Sequence, residues 1–210
     1  MLETYKTILK SAEMEFVEKG SRFIGYAFPV NTENAAIEHI NELRAFHPKA
    51  HHNCFAYQIG QANQYKRQSD DGEPSGTAGM PILDVITKQD LKDTLVVVTR
   101  YFGGTLLGAG GLVRAYSRGA KEAVAAARVI TNVLHQTLHI SVPYTLGGKL
   151  EHEIRTRGYV LKDTLYTENI EFIIQTPMPN ASLVEKHMTN ITAGAAVITK
   201  GEVVYRHEAF

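Results

Sequence analysis

Three carboxylates and three glycines lie within residues 69–81, in the stretch SDDGEPSGTAGMP. Asp70, Asp71 and Glu73 carry oxygen ligands of the kind that Mg²⁺ takes in proteins, together with water or substrate oxygens. Adjacent aspartates on an extended chain point to opposite sides, however, and their spacing is not that of an EF-hand loop. Turns are also rich in Asp and Gly. The stretch therefore predicts either a Mg²⁺ site or a structural turn with a helix cap.

The rear half of the same stretch has the composition of an anion site. Ser75, Gly76 and Thr77 stand just before a predicted helix, where free backbone N–H groups and the helix dipole favour a phosphate. The segment has no P-loop lysine and no G-x-G-x-x-G pattern, so it matches neither common nucleotide-binding motif. The alternative is that Ser75 or Thr77 serves only as the N-cap of the helix.

A second glycine-rich stretch, RYFGGTLLGAGGLVRAYSRGA, occupies residues 100–120 and joins a predicted strand to a predicted helix. Chain segments with this geometry can present N–H groups to a ligand. Arg114, Arg118, Lys121 and Arg128 follow at helical spacing, so they share one helix face. Such a face beside aromatic residues suits phosphates and stacked bases, and the alternative is an ordinary solvated helix face.

The two stretches together give one predicted surface for nucleic acid or another anion. Its members are Ser75, Gly76, Thr77, Arg100, Tyr101, Gly103, Gly104, Gly110, Gly111, Arg114, Arg118 and Lys121. Tyr116 is a further ring that could stack on a base.

The histidines suggest a different chemistry. His51 and His52 are adjacent, so in a strand they face opposite ways and cannot chelate one ion together. His52 could meet Asp70 or Asp71 across strands and act as an acid or base, or it could be a packing residue. The candidate catalytic set is therefore His52, Asp70, Asp71 and Glu73. Cys54 shares the strand face of His52 and is interpreted as a small core residue.

The elements that position these residues can be predicted from periodicity. Residues 5–30 predict a hairpin with a Lys-Gly turn, and Thr32 caps a helix that ends at Pro48. Residues 51–60 predict a strand that buries Phe55 and Tyr57 on one face and Cys54 on the other, with residues 61–69 pairing back on it. A short helix led by Thr77, a central strand (TLVVVTRYF) and an alanine-rich helix complete this part.

Composition limits the possible functions. The chain has 22 basic and 22 acidic residues, so no global field attracts it to nucleic acid or to an anionic membrane. A single cysteine excludes an internal disulfide and fits a reducing compartment. Neither a signal peptide nor a long apolar run is visible, which predicts a cytoplasmic protein that does not enter a membrane.

The sequence changes character near Asn132. Residues 135–207 alternate in the order βαββαβ, which is typical of a ferredoxin-like arrangement. The predicted fold class is α+β, with one domain at residues 1–132 and a second, ferredoxin-like domain at residues 135–210.

Four segments, SRFIGYAFPV, HHNCFAYQIG, SDDGEPSGTAGMPIL and VVVTRYFGGTLLGAGGLVRAYSRGA, resemble the YigZ/IMPACT family in its bacterial two-domain branch. They cover about residues 15–125. The resemblance implies an N-terminal domain similar to the βαβ modules of ribosomal proteins and RNase PH. It also implies a ferredoxin-like C-terminal domain similar to one in elongation factor G.

The resemblance also implies a link to translation, because the eukaryotic relatives interfere with activation of a kinase that phosphorylates an initiation factor. Bacteria lack that kinase pathway, so its role is not transferred. The expected function is a non-enzymatic, translation-linked regulatory or RNA-binding protein without a cofactor or resident metal, whose partner is RNA or a ribosome-associated protein.

Two alternatives stay open. One is an enzyme that acts on a phosphorylated substrate with Mg²⁺ and the His/Asp groups, and the other is a protein-binding regulator. Some bacterial members are labelled proline dipeptidases, but this chain lacks the dinuclear metal ligand set that such an enzyme needs.

Overall fold

The strand with the most continuous β-branched sequence, β6 (Thr94–Tyr101), lies at the centre of a five-stranded sheet in the computed structural model. Its neighbours are β3 (Ser21–Pro29) and β4 (His52–Ile59), and both pair with it in antiparallel orientation. All residues of β6 except Tyr101 are buried, because helices cover both faces of this sheet. The structure describes residues 1–208.

Six further elements complete the first compact unit, residues 1–131. They are β1 (Thr4–Ile8), β2 (Ala12–Glu18), α1 (Glu33–Phe46), β5 (Tyr65–Ser69), α2 (Gly79–Lys88) and α3 (Ala109–Ala126). The strand order is β2-β3-β6-β4-β5. Because β3 and β4 both run antiparallel to β6, α1 connects two parallel strands that are separated by β6. Helix α2 connects β5 to β6 across β4 in the same way.

The two faces of the sheet carry different helices. Cys54 and Ala56 of β4 pack with α2 and α3, whereas Phe55, Tyr57 and Ile59 pack with α1. The predicted alternation of this strand is confirmed. The Lys19-Gly20 turn between β2 and β3 is confirmed as well, and both of its residues have positive φ.

Helix α3 packs closely on β3 because two glycines meet there. A Cβ added to Gly25 would lie 2.5 Å from the carbonyl oxygen of Gly119, a distance that no real Cβ contact reaches. Helix α3 also packs against β2, and Arg114 and Arg118 lie beside the β2–β3 hairpin.

The second unit comprises residues 132–208. Its elements follow the predicted order: β7 (Val129–Val142), α4 (Tyr144–Thr156), β8 (Val160–Tyr166), β9 (Ile170–Pro177), α5 (Ala181–Ile191) and β10 (Val197–Glu208). Strand β7 pairs with β9 and β10, and β8 pairs with β9. Leu138 and Ile140 of β7 pack with Phe172 of β9 and with both helices in the core.

The structure divides the chain between Thr131 and Asn132, whereas the sequence analysis places the domain limits at residues 132 and 135. No linker separates the units at that point, because β7 starts at Val129 and runs through Asn132 as one strand. Residues 209–210 of the predicted second domain lie outside the described residues. Within residues 1–208, no helix combines the length and the apolar character that crossing a membrane requires.

Gly25→Ala should lower the free energy of unfolding of the first unit by about 1–3 kcal/mol, because the added methyl group collides with helix backbone. Urea denaturation followed by circular dichroism measures the change. Gly110→Ala is the matched control, since its Cβ would meet only the Arg114 guanidinium, at 3.6 Å. The control should be neutral or slightly stabilising, because alanine favours a helix over glycine. Equal losses in both variants would contradict the close-packing argument.

Candidate functional site

A buried ion pair lies at the centre of the region that contains both glycine-rich stretches. Glu73 and Arg100 are 8% and 5% exposed, and Arg100 Nη1 lies 2.6 Å from Glu73 Oε1. The Tyr116 hydroxyl donates to the same oxygen at 2.7 Å. Burial raises the pKa of Tyr116, which keeps this donor protonated. Glu73 belongs to the loop of residues 70–78 between β5 and α2, which we call the acidic loop, whereas Arg100 belongs to β6 and Tyr116 to α3. The ion pair and its tyrosine therefore connect three separate segments.

Arg100 also orders the loop that follows β6. Its Nη2 donates to Ser21 Oγ at 3.2 Å, and the same hydroxyl accepts from the backbone N–H of Gly103 at 3.2 Å. The guanidinium lies 5.4 Å from the Phe23 ring centroid and 5.5 Å from that of Phe102. The predicted role of Arg100 in anion binding is therefore corrected, because its charge is buried and paired with Glu73.

Asp70 caps helix α2. Its Oδ1 accepts from the backbone N–H groups of Ala78 at 3.0 Å and Gly79 at 2.8 Å, and its Oδ2 accepts from Gly76 at 2.9 Å. Partial burial acts to raise the pKa of Asp70, but the three N–H donors together lower it below its usual range. A carboxylate of the chain itself thus occupies the position that the sequence assigns to an external anion.

The predicted caps of α2 are consequently wrong. Thr77 is buried and donates its hydroxyl to the Pro74 carbonyl at 2.6 Å, while Ser75 is exposed on the loop. Ala78 is the N-cap residue, and no side chain at that position caps the helix. Of the predicted anion donors in this loop, the Gly76 N–H donates to the Asp70 carboxylate, whereas the Thr77 N–H donates to the Pro74 carbonyl at 3.0 Å.

Asp71 has partners of its own. Its Oδ1 accepts from Arg44 at 2.9 Å and its Oδ2 from the backbone N–H of Asn53 at 2.7 Å. The three carboxylates of the acidic loop therefore face three different sets of donors. In the described part of the chain, no three His, Cys, Asp or Glu side chains are arranged to hold a metal ion. This geometry does not support the Mg²⁺ interpretation.

The histidines lie beside this loop. His52 Nδ1 is 2.9 Å from the Asp71 carbonyl oxygen, which can only accept, so Nδ1 carries the proton. His52 Nε2 then faces Glu73 Oε1 at 3.8 Å, beyond hydrogen-bond distance. The Cys54 thiol donates to the Asp70 carbonyl at 2.9 Å, and burial raises its pKa, so it is not a nucleophile.

A cleft of about 180 Å³ opens beside the first turns of α3. We call it the basic cleft; it is lined by Phe16, Glu18, Lys19, Leu107, Gly111, Arg114, Ala115 and Arg118. Three of these residues are cationic and one is acidic. Arg118 Nε pairs with Glu122 at 2.8 Å, and its guanidinium lies 4.2 Å from the Phe16 ring centroid. Lys19 and Arg114 form no ion pair within residues 1–208.

The glycine-rich loop itself stays open to solvent. Gly103, Gly104 and Gly110 are exposed, and nothing lies within 4 Å of a Cβ added to Gly104. Helix α3 begins after Gly108 without a side-chain cap, so N–H groups of its first turn remain available. The structure thus brings these glycines, Gly111, Arg114 and Arg118 to one surface.

Other members of the predicted surface lie elsewhere. Lys121 lines a separate groove between α2 and α3, and Arg128 lies beyond the helix end with a φ of 60°. Tyr116 is buried, and Tyr101 bonds His47 at 2.8 Å on the face of the sheet that carries α1. Neither tyrosine can stack on a base at the basic cleft. Phe102, which is 40% exposed, is the ring that remains available.

Sequence reasoning missed Lys19 and Phe16, the contributions of the hairpin to the basic cleft. A signal did exist, because Gly20 and Gly103 approach each other too closely for any side chain: a Cβ on Gly103 would lie 1.9 Å from the Gly20 carbonyl. A glycine in each of two turns is compatible with a close contact between those turns. The sequence has many such glycines, however, and does not show which two turns meet.

The fold and site define a class of protein: a two-unit α+β chain whose buried ion pair orders a glycine-rich loop beside a basic helix. The model of the Impact N-terminal domain matches residues 19–124, and that of a domain of unknown function, DUF1949, matches residues 140–195. The chain belongs to the IMPACT family, which confirms the resemblance found in its sequence.

The similarity to two relatives and to one solved structure extends over different shares of the chain. It is 43% identical over 209 residues to the IMPACT family member YvyE of Bacillus subtilis (strain 168), covering 100% of this chain and 96% of that protein. It is 40% identical over 121 residues to YigZ of Escherichia coli (strain K12), covering 56% and 59%. A crystal structure described as that of a hypothetical protein has a TM-score of 0.62 at 26% identity, covering 96% and 99%.

Asp70→Ala should lower the free energy of unfolding of the first unit by about 0.5–2 kcal/mol, the usual effect of losing a helix cap. Ser75→Ala, at the cap position that the sequence predicts, should leave it unchanged. Urea denaturation at neutral pH measures both variants. If Ser75→Ala is as destabilising as Asp70→Ala, the assignment of the cap to Asp70 is wrong.

The stability difference between wild type and Asp70→Ala should depend on pH. Because the folded state lowers the pKa of Asp70, its stabilisation is present above the ordinary pKa of aspartate and is lost as the pH falls through the lowered value. The difference between wild type and Asp70→Ala should therefore shrink from about pH 5 to about pH 2. A constant difference over that range would show that the carboxylate charge is not responsible.

Proposed function

We propose that this protein is a cytoplasmic, non-enzymatic, translation-linked factor that binds RNA through the basic cleft. The observation that carries the proposal is the grouping of Lys19, Arg114 and Arg118 at the open N-terminal end of α3. Two of these cations have no ion-pair partner within residues 1–208, so they can neutralise phosphates. The link to translation rests on the resemblance to the IMPACT family.

The basic cleft supports binding of a phosphate backbone more than recognition of a base sequence. Its cations can contact phosphate groups, which are the same in every nucleotide. The free backbone N–H groups at the start of α3 can bind a phosphate too, and they do not distinguish one base from another. Phe102 and Leu106 are exposed on the adjoining loop, and Phe102 offers one ring face for stacking. We therefore expect single-stranded RNA to bind with strong salt dependence and little sequence preference.

The enzyme alternative has less support. Asp70 and Asp71 each accept hydrogen bonds from named donors, Glu73 is paired with Arg100, and His52 is held by a backbone carbonyl. Among these groups only the Nε2 atom of His52 has no hydrogen bond in the described residues, and the three carboxylates that would have to act with it are all bonded to other groups of the protein.

The strand orders support the finer fold assignments that the resemblance implies. In the second unit, the order β10-β7-β9-β8 in a βαββαβ chain corresponds to a ferredoxin-like domain. In the first unit, two βαβ connections that each cross an intervening strand are consistent with the ribosomal-protein and RNase PH type of module.

Lys19→Ala/Arg114→Ala should weaken binding of single-stranded RNA and flatten its salt dependence. Each phosphate contact on a single strand contributes about 0.7 to the slope of log affinity against log salt, so the double variant should lose about 1.4. The measurement is fluorescence anisotropy with a labelled oligonucleotide of roughly 12 residues, titrated from about 50 to about 200 mM KCl.

The control is Lys49→Ala/Lys66→Ala, which removes two exposed cations of the same unit away from the basic cleft. It should retain the wild-type slope. Phe102→Ala in the same titration should weaken binding by about 1–3 kcal/mol without changing the slope, since stacking releases no counterions. If all four proteins bind alike, the basic cleft is only a solvated surface.

A further inference from the structure

The face of the first sheet that carries α1 is only partly covered. Two helices, α2 and α3, pack on the opposite face, whereas α1 alone packs on this one. An open groove of about 510 Å³ remains between α1 and the strands at the β2 edge. We call it the aromatic groove; it is lined by Ser11, Ala12, Glu13, Tyr26, Phe28, Glu42, Leu43 and Phe46.

Aromatic rings form much of this groove. Tyr26 and Phe28 stack at 6.3 Å between centroids, and His39 stacks on Phe28 at 4.3 Å, which fixes the Phe28 ring. Phe46 is 75% exposed near the end of α1. Tyr26 is only 6% exposed, and His39 covers one face of Phe28. Phe46 is therefore the ring whose face can attract a cation through its quadrupole.

The charge of the aromatic groove is negative. Glu13 and Glu42 are the carboxylates among the eight lining residues, and no lysine or arginine is one of them. Glu42 pairs with His39 at 3.0 Å, whereas Glu13 has no ion-pair partner in the described part of the chain. Carboxylates in this position repel phosphates and attract a basic side chain.

The residues beneath the aromatic groove add no positive charge at neutral pH. The two ring nitrogens of His47 lie 2.7 Å from the Tyr26 hydroxyl and 2.8 Å from the Tyr101 hydroxyl. Burial lowers the pKa of His47, Arg22 lowers it further, and Glu13 offsets this only in part, so the ring is neutral. Arg22, the nearest basic residue on β3, is paired with Glu15 at 2.7 Å.

We propose that the aromatic groove binds an arginine or lysine side chain of a basic peptide segment in a partner protein. The exposed Phe46 ring would contact the cation and its aliphatic stem, and Glu13 and Glu42 would neutralise its charge. The groove is wide and includes Leu43 and Ala12, so it has room for an apolar neighbour of the basic residue as well. The site is separate from the basic cleft and does not depend on RNA binding there.

The test uses the ¹⁵N-labelled full chain titrated with the peptide acetyl-Arg-Leu-Arg-amide and, in parallel, with acetyl-Glu-Leu-Glu-amide. Two-dimensional amide spectra should show saturable shifts at Glu13, Leu43 and Phe46 with the basic peptide and none with the acidic one. Glu42→Gln and Phe46→Ala should each weaken the basic peptide by at least about threefold.

Matched controls lie on the same helix. Glu38→Gln removes the same charge one turn earlier, and Ile37→Ala removes a partly exposed apolar side chain that lines a different pocket. Both should bind the basic peptide as the wild type does. The proposal is overturned if the two peptides shift the groove equally, if the basic peptide shifts other residues only, or if single-stranded RNA saturates the groove instead.

Discussion

Arg100 and Glu73 carry opposite charges into the interior of the first unit, where water reaches almost none of either side chain. A buried charge without its partner typically costs about 3–5 kcal/mol, so each residue fixes the position of the other. The ion pair holds the acidic loop against β6, and the hydrogen bond from Tyr116 to Glu73 connects that loop to α3. Ser21 of the hairpin accepts hydrogen bonds from Arg100 and from the backbone of Gly103, so the hairpin and the second loop are joined to the same group. The course of both glycine-rich loops depends on this one pair.

The hydrogen bonds of the acidic loop also determine which charges remain free at the surface. With Asp70, Asp71 and Glu73 all bonded to groups of the protein, the acidic loop presents little free carboxylate, and the cations beside α3 dominate the basic cleft. The edge strand β2 then separates two surfaces by simple alternation. Phe16 and Glu18 face the basic cleft, whereas Glu13 lies on the other face, in the aromatic groove. A chain of zero net charge can thus offer a cationic and an anionic surface.

The sequence predicts elements better than it predicts contacts. The hairpin, the Thr32 cap of α1, the two faces of β4 and the order of the second unit all follow from local periodicity and turn residues, and the structure has them. The sequence leaves the role of the acidic loop open because its partners are distant: Arg44 is 27 residues from Asp71, and Tyr116 is 43 residues from Glu73. The sequence predicts Arg100 as a ligand-binding cation because nothing local shows that this strand residue is buried against a carboxylate.

Amide hydrogen exchange of wild type and Glu73→Gln measures whether the Glu73–Arg100 pair orders both glycine-rich loops together. We expect the amides of Gly76 in the acidic loop, of Gly79 at the start of α2 and of Gly103 after β6 to lose protection in the variant to a similar extent. Val97 at the centre of the sheet should stay the better protected amide in both proteins. Loss of protection in the acidic loop while Gly103 keeps its wild-type exchange rate would show that the pair does not order the two loops together.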